Sequence, residues 1–241
     1  MKNFVIGLLV IIILFLAVSA VRIYSAPENA IETPRPSALA ETKAPAVEAA
    51  SWDLAGHMEV YRSVLLEGER FYSATAGGDI DVAGLGKAVS SDEKVLLSIL
   101  RFALVDMDGD SLPELLLWLK VNNDDYYGYE LIRREGDKLY GYTVWYRAMS
   151  QLKEDGSFVS SGGASDCGFG RMRFQGSDFD FEPQAFSRSQ PDFSGGLTTA
   201  YYIGSDRVDK SAFDGALAAQ DEKQAPEWYD CTEENILEIL K

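Results

Sequence analysis

Apolar residues change their spacing several times along the chain, and each change marks a different kind of segment. Phe4–Ala20 reads FVIGLLVIIILFLAVSA, an apolar run without a charge, bounded by Lys2 and Arg22. As a helix it would span roughly 26 Å, close to a bilayer core of about 30 Å. Between Pro27 and Ala50 large apolar residues almost vanish, and Pro27, Pro34, Pro36 and Pro45 appear instead. Such a stretch cannot bury enough surface to offset the entropy of ordering it, so it reads as a disordered linker. From Trp52 to Ser73 apolar positions recur at threes and fours (Leu54, Met58, Tyr61, Leu65, Phe71), with Asp53, Glu59, Arg62, Glu67 and Arg70 between them. That spacing predicts an amphipathic helix, stopped by Gly77-Gly78.

The pattern then becomes strand-like. Phe102–Val105 and Leu115–Val121 are continuous apolar runs, as expected of strands buried on both faces. Asp92–Leu100 before them reads either as a short helix or as the approach to a strand. Tyr127–Arg134 and Lys138–Arg147 are aromatic-rich, and Glu135-Gly136-Asp137 between them predicts a hairpin turn. Ser157–Ser160, Gly170–Phe174 and Phe179–Phe186 add short strands, separated by glycine-containing turns. Ser211–Gln220 and Thr232–Leu240 read as helices, the second with Thr232 as its N-cap. Strands grouped between helices predict an α+β fold for residues 51–241: a largely antiparallel β-sheet flanked by an N-terminal helix and C-terminal helices.

Composition narrows the chemistry. Apolar residues make up 46% and charged residues 25%, an ordinary globular balance that excludes a collagen-like or wholly disordered chain. One histidine, His57, leaves little room for imidazole-based metal or triad chemistry, and it reads as a surface residue of the first helix. Two cysteines exclude a four-cysteine zinc site; Cys167 and Cys231 are candidates for a single disulfide if the chain is exported. The formal charge of −16 opposes binding to nucleic acid and favours cations as ligands. Residues 1–26 read as a transmembrane anchor or as a cleaved signal peptide, for which Val18-Ser19-Ala20 offers small residues at the cleavage position. Either way the rest of the chain lies outside the cytoplasm, held to the membrane by its N-terminal segment or secreted.

The strongest local motif is Asp106-Met107-Asp108-Gly109-Asp110-Ser111-Leu112-Pro113-Glu114. Asp106, Asp108, Asp110 and Glu114 hold positions 1, 3, 5 and 9, and the Leu112 carbonyl at position 7 supplies a further oxygen. Hard cations such as calcium take six to eight oxygens, and alternate side chains of a tight loop point inward. An EF-hand would need an acid at position 12, where Leu117 stands, glycine at position 6, where Ser111 stands, and helices on both sides. Three readings stay open: a bound Ca2+ ion, another metal, or a metal-free turn whose aspartates cap backbone N–H groups.

At this loop the chain resembles a known family. FALVDMDGDSLPELLLWL, YYGYELIRREGDKLYGYTVWYRA, LKEDGSFVSSGGASDCGFGRMRF and WYDCTEENILEIL are similar to a family of uncharacterised exported proteins from low-GC Gram-positive bacteria, whose domain carries DxDGDGxPEL. The resemblance implies location and a shared domain, with a calcium-like loop mapped onto Asp106, Asp108, Asp110 and Glu114. Ser111 departs from the glycine of that pattern.

Tyr126, Tyr127, Tyr129, Tyr140, Tyr142, Trp145 and Tyr146 offer a row of rings that either stack on cell-envelope glycan or pack within a sheet. The glycine-rich stretch Ser160–Gly170 reads as a wide hairpin loop. The resulting expectation is an extracytoplasmic binding module with a structural calcium loop and an aromatic face for envelope glycan or protein. The alternative is a glycan-directed hydrolase using a carboxylate pair drawn from Glu130, Asp166, Asp178 and Asp180.

Overall fold

A helix of four turns opens the described part of the protein. The structure, a computed structural model, describes residues 54–92, 94–163, 166–192 and 196–241. The apolar leader, the proline-rich linker, Trp52 and Asp53 lie outside the described residues, as do Ala164 and Ser165 of the glycine-rich loop. Helix α1 (Leu54–Leu66) buries Met58, Tyr61 and Val64, three positions a turn apart. It is shorter than the periodicity to Ser73 predicts. Gly68 adopts φ +73°, and the Ser63 carbonyl accepts both Glu67 N–H and Glu69 N–H, which closes the helix with a left-handed cap. Phe71–Ser73 is instead a strand, β1, in a hairpin with β2 (Gly78–Ile80). A 3-10 turn (Val82–Gly84) and helix α2 (Leu85–Val89) follow. The helix lies there, and not at Asp92–Leu100, whose last residues already belong to β3 (Leu97–Val105).

β3, β4 (Glu114–Val121), β5 (Asp124–Glu135) and β6 (Lys138–Trp145) form an antiparallel meander. Glu135 pairs with Lys138 across the predicted turn. β1 joins the far side of β6 in parallel, and β12 (Tyr229–Asp230) joins β3, giving a seven-stranded sheet, sheet A, in the order β12-β3-β4-β5-β6-β1-β2. β7 (Phe158–Ser161), β8 (Cys167–Gln175), β9 (Asp178–Pro191), β10 (Leu197–Ile203) and β11 (Asp206–Val208) form a second sheet, sheet B, ordered β11-β10-β9-β8-β7. The β7–β8 pair supports the hairpin reading of the glycine-rich stretch. The β10–β11 hairpin has no counterpart in the sequence reading. Its alternation is weak: Leu197 is 76% exposed and only Ala200 is buried.

The helices close the outer faces. Helix α3 (Lys210–Asp221) starts at Asp209, whose side chain accepts Ala212 N–H, and α4 (Glu233–Ile239) starts at the predicted cap Thr232. On β4, Leu115, Leu117 and Leu119 pack into a core with Tyr61 and Val64 of α1 and Ile236 of α4. Leu116, between them, faces a second core with Phe158 and Met172 of sheet B. Period-two alternation thus sends one strand's leucines into two cores. A third, smaller core holds Phe169, Ala185 and Phe213 between sheet B and α3. The molecule is α+β as expected, built as two stacked sheets with helices outside them. Among the described residues no helix is long and apolar enough to cross a membrane.

The two cysteines do not pair. Cys167 Sγ lies 3.5 Å from Ser187 Oγ on sheet B, while Cys231 packs beside the α1-facing core of sheet A, and both are free. His57 is half-buried, its ring edge-on to Tyr61 at 6.3 Å.

Candidate metal centre

The acidic loop grows directly out of two neighbouring strands. β3 ends at Val105, β4 begins at Glu114, and these two residues are register partners. Residues 106–113 therefore form an excursion between antiparallel strands, as the sequence predicts. Asp106 organises it: Oδ1 accepts the N–H groups of Gly109 (2.7 Å) and Asp110 (3.1 Å), and Oδ2 accepts that of Ser111 (2.9 Å). Asp108 Oδ1 accepts Asp110 N–H at 3.2 Å, and Asp110 Oδ1 accepts Leu112 N–H at 2.8 Å. The backbone N–H groups of Gly109, Asp110, Ser111 and Leu112 are thus satisfied by the loop's own carboxylates. Ser111 adopts φ +74°, the left-handed conformation that glycine enters most readily.

Glu114 shares the parity of Leu116, so it points to the sheet-B side, and its side chain is only 3% exposed. Its Oε2 accepts Met107 N–H at 2.8 Å, while Oε1 accepts no hydrogen bond among the described residues. Asp106, Asp108 and Glu114 each bring one carboxylate oxygen within 4.8 Å of the others. Asp110 is not part of this convergence; its carboxylate is tied to Leu112. Burial pushes Glu114's carboxyl up to about 9, reinforced by Asp108 and Asp110 and opposed by the Met107 N–H and Arg133. Burial also raises Asp108, with Asp110 adding to the shift and Arg133 resisting it. Three carboxylates drawn together with one of them buried make a site that a hard cation would relieve, and the donor set is all oxygen.

Sequence reasoning missed the cation that the protein itself supplies. Arg133 Nε stands 3.7 Å from Asp108 Oδ2 and 3.7 Å from Glu114 Oε1. The β4–β5 register pairs Leu115 with Ile132, so one further step sets Glu114 across from Arg133. The arginine was visible in the sequence, but only the register shows that it meets the loop. A second missed partner is the turn Lys153–Ser157, which passes against the backbone of Asp106 and Met107. There Asp155 accepts hydrogen bonds from Lys223 and Ser157, and Arg171 lies between Asp155 and Gly109.

The remaining candidates disperse. Glu130 is enclosed on the helix-facing side of sheet A, where Oε2 accepts Thr143 Oγ1–H at 2.7 Å and Oε1 has no partner. Asp166, in the loop just before β8, accepts from Ser189 N–H, while Asp178 and Asp180 on β9 accept from Phe179 N–H and Gln175 Nε2. The aromatic row splits between faces. A β-bulge shifts the β4–β5 register between Leu119 and Val121. Tyr127 packs with the α1-side core, and Tyr129 and Tyr146 join Trp118 and Trp228 on the other. Tyr129 and Tyr142 are buried; Tyr126 and Trp145 remain 61% and 63% exposed.

No family model, curated protein or solved structure matches the chain.

Proposed function

We propose that this protein is an extracytoplasmic module, delivered by its apolar leader, whose Asp106–Glu114 loop binds calcium. The observation that carries this reading is the convergence of buried Glu114 with Asp106 and Asp108 at the end of sheet A. Oxygen-only ligands favour calcium or magnesium over softer metals, and a loop of flexible carboxylates suits the larger, less demanding ion. Asp106, Asp108 and Glu114 would hold the ion through one carboxylate oxygen each. The ion's role is structural: it neutralises carboxylates that the fold forces together between two sheets. Exposed Tyr126 and Trp145 are proposed as contacts for envelope glycan, in keeping with ring faces that stack on sugars.

Calorimetry on the full chain tests the ion. One calcium ion per chain binds, magnesium binds more weakly, and Asp108→Asn and Glu114→Gln each abolish the heat. No heat and no change in melting temperature at millimolar calcium would end the proposal.

A further inference from the structure

The outer edge of β3 is covered along only part of its length. β12 pairs with β3 at Phe102 and Arg101, and Cys231 N–H reaches the Leu100 carbonyl at 3.1 Å. Among the described residues no strand pairs with Leu97, Ser98 or Ile99 on the side away from β4. Leu96 turns its backbone inward: its N–H donates to Asn122 Oδ1 (3.1 Å) and its carbonyl accepts Asn122 N–H (2.7 Å). Backbone groups alternate sides along a strand, so those of Leu97 and Ile99 point outward, away from β4. A groove of about 400 Å3 runs beside this edge, lined by Val82, Ala83 and Gly86 of the 3-10 turn and α2, and by Val95, Leu97 and Ile99. Leu96 is 73% exposed. Open edges in folded proteins are ordinarily short, or carry a proline or a charge. β2 and β11 have three residues each, with Asp79 and Asp206 among them, and β12 has two, with Asp230. Val95–Leu100 holds neither a proline nor a charge.

We propose that this edge pairs antiparallel with the same edge of a second copy of the chain, about a twofold axis at Leu97. The order of residues along the edge fits that occupant. A twofold contact is self-complementary: whatever residue i meets, that residue's counterpart meets i in return. With Leu97 on the axis, Leu97 faces its own counterpart and Val95 faces Ile99 of the second copy, so the apolar lining of one groove meets that of the other. The outward N–H and C=O of the two Leu97 residues then bond to each other. Cys231 fixes the register. An axis at Ser98 would bring Leu96 of the second copy opposite Leu100, where Cys231 already stands. With the axis at Leu97 the second copy's chain turns off in time, through the turn closed by the bond from Val95 N–H to the Asp92 carbonyl. Sheet A becomes continuous across the two copies. The seam is only a few residues long, below the roughly 1,200–2,000 Å2 of a standard interface, so the dimer is reversible.

Two singly substituted full-length chains, Leu96→Cys and Ser98→Cys, test this when mixed in detergent micelles under a mild oxidant, with the linked peptides mapped by mass. Both side chains are exposed, so neither change reaches a core. In the proposed register position 96 lies opposite position 98 of the second copy, a pair whose Cα atoms stand about 4.5 Å apart, within disulfide reach. The 96–98 link therefore forms roughly tenfold faster than 96–96 or 98–98 links, whose Cα atoms lie beyond about 7 Å. Leu237→Cys, on α4 and also exposed, sets the rate of chance encounter in the same micelles. A 96–98 link no faster than links to position 237 overturns the proposal, as it would if the leader, the linker or another protein covered the edge. Predominant 96–96 or 98–98 links overturn it too. Hydrogen exchange on the unsubstituted chain gives a second readout: the Leu97 and Ile99 amides slow as protein concentration rises, and fast exchange there at every concentration overturns the pairing.

Discussion

Gly156 lies so close to Asp106 that a Cβ at position 156 would fall 2.0 Å from the Asp106 carbonyl oxygen. The turn that leads from sheet A into sheet B is therefore pressed onto the first residue of the acidic loop. Gly156 also adopts φ +78°. Gly156→Ala meets both a backbone clash and a strained conformation, and loses at least about 2 kcal/mol in urea unfolding. Gly136→Ala, with φ +60° and nothing within 4 Å of its Cβ, is the control and loses about 1 kcal/mol. Equal losses would mean that the two loops separate freely.

Ser111→Gly should stabilise. The serine is exposed and holds φ +74°, where its Cβ is strained, while its N–H bond to Asp106 survives the change. A gain of about 0.5–1 kcal/mol, read as a higher melting temperature, is expected. A loss would show that the serine hydroxyl holds the turn.

Glu130 gives the fold a specific pH dependence. Burial pushes its carboxyl from 4.5 to about 8, with Thr143 opposing. The folded state therefore keeps a proton that the unfolded state releases above about 4.5. Stability contributed by this group is complete below that pH and is lost as pH rises through about 8, with a slope of up to about 1.4 kcal/mol per pH unit. Glu130→Gln removes the slope: its melting temperature matches the parent at pH 5 and exceeds it at pH 8. Parallel curves for the two proteins would rule this out.

Lys153 is 7% exposed, and its Nζ donates to the carbonyls of Asp221 (2.8 Å) and Lys223 (3.0 Å) at the end of α3. It ties a sheet-linking turn to the helix terminus, where a positive charge is favoured. Lys153→Met leaves those carbonyls without their donor and loses about 2–3 kcal/mol. Hydrogen exchange near Gln220 and Lys223 should rise in parallel, and protection there equal to the parent would refute the coupling.

The parts legible in the sequence were those with strong local period or an explicit turn: α1, the β3–β6 meander, the Glu135–Lys138 hairpin, the Thr232 cap and the acidic loop between strands. What escaped was set by partners distant in sequence. Phe71 continued the helical spacing of α1, yet it pairs with Ile80 in a hairpin and fills the same core from a strand. Two sheets cannot be told from one when both have the same strand period, and β12, two residues long, carries no period at all. At the candidate site Asp106, Asp108 and Glu114 were identifiable by spacing. Asp110 was grouped with them, although the fold turns its carboxylate to Leu112. Arg133 was out of reach because it depends on strand register, which no local pattern fixes.

Sheet A is begun by residues near position 71 and completed by Tyr229 and Asp230, with α4 then sealing the face that α1 covers. Everything in between, including all of sheet B, is synthesised before that closure. A nascent chain released only up to β11 leaves the α1-side leucines of β4 without Ile236 and Leu240 above them. Such distant pairing slows folding and keeps sticky surface open until late in synthesis. Chaperone demand should accordingly be greatest in the interval between the emergence of sheet B and the docking of the final helix.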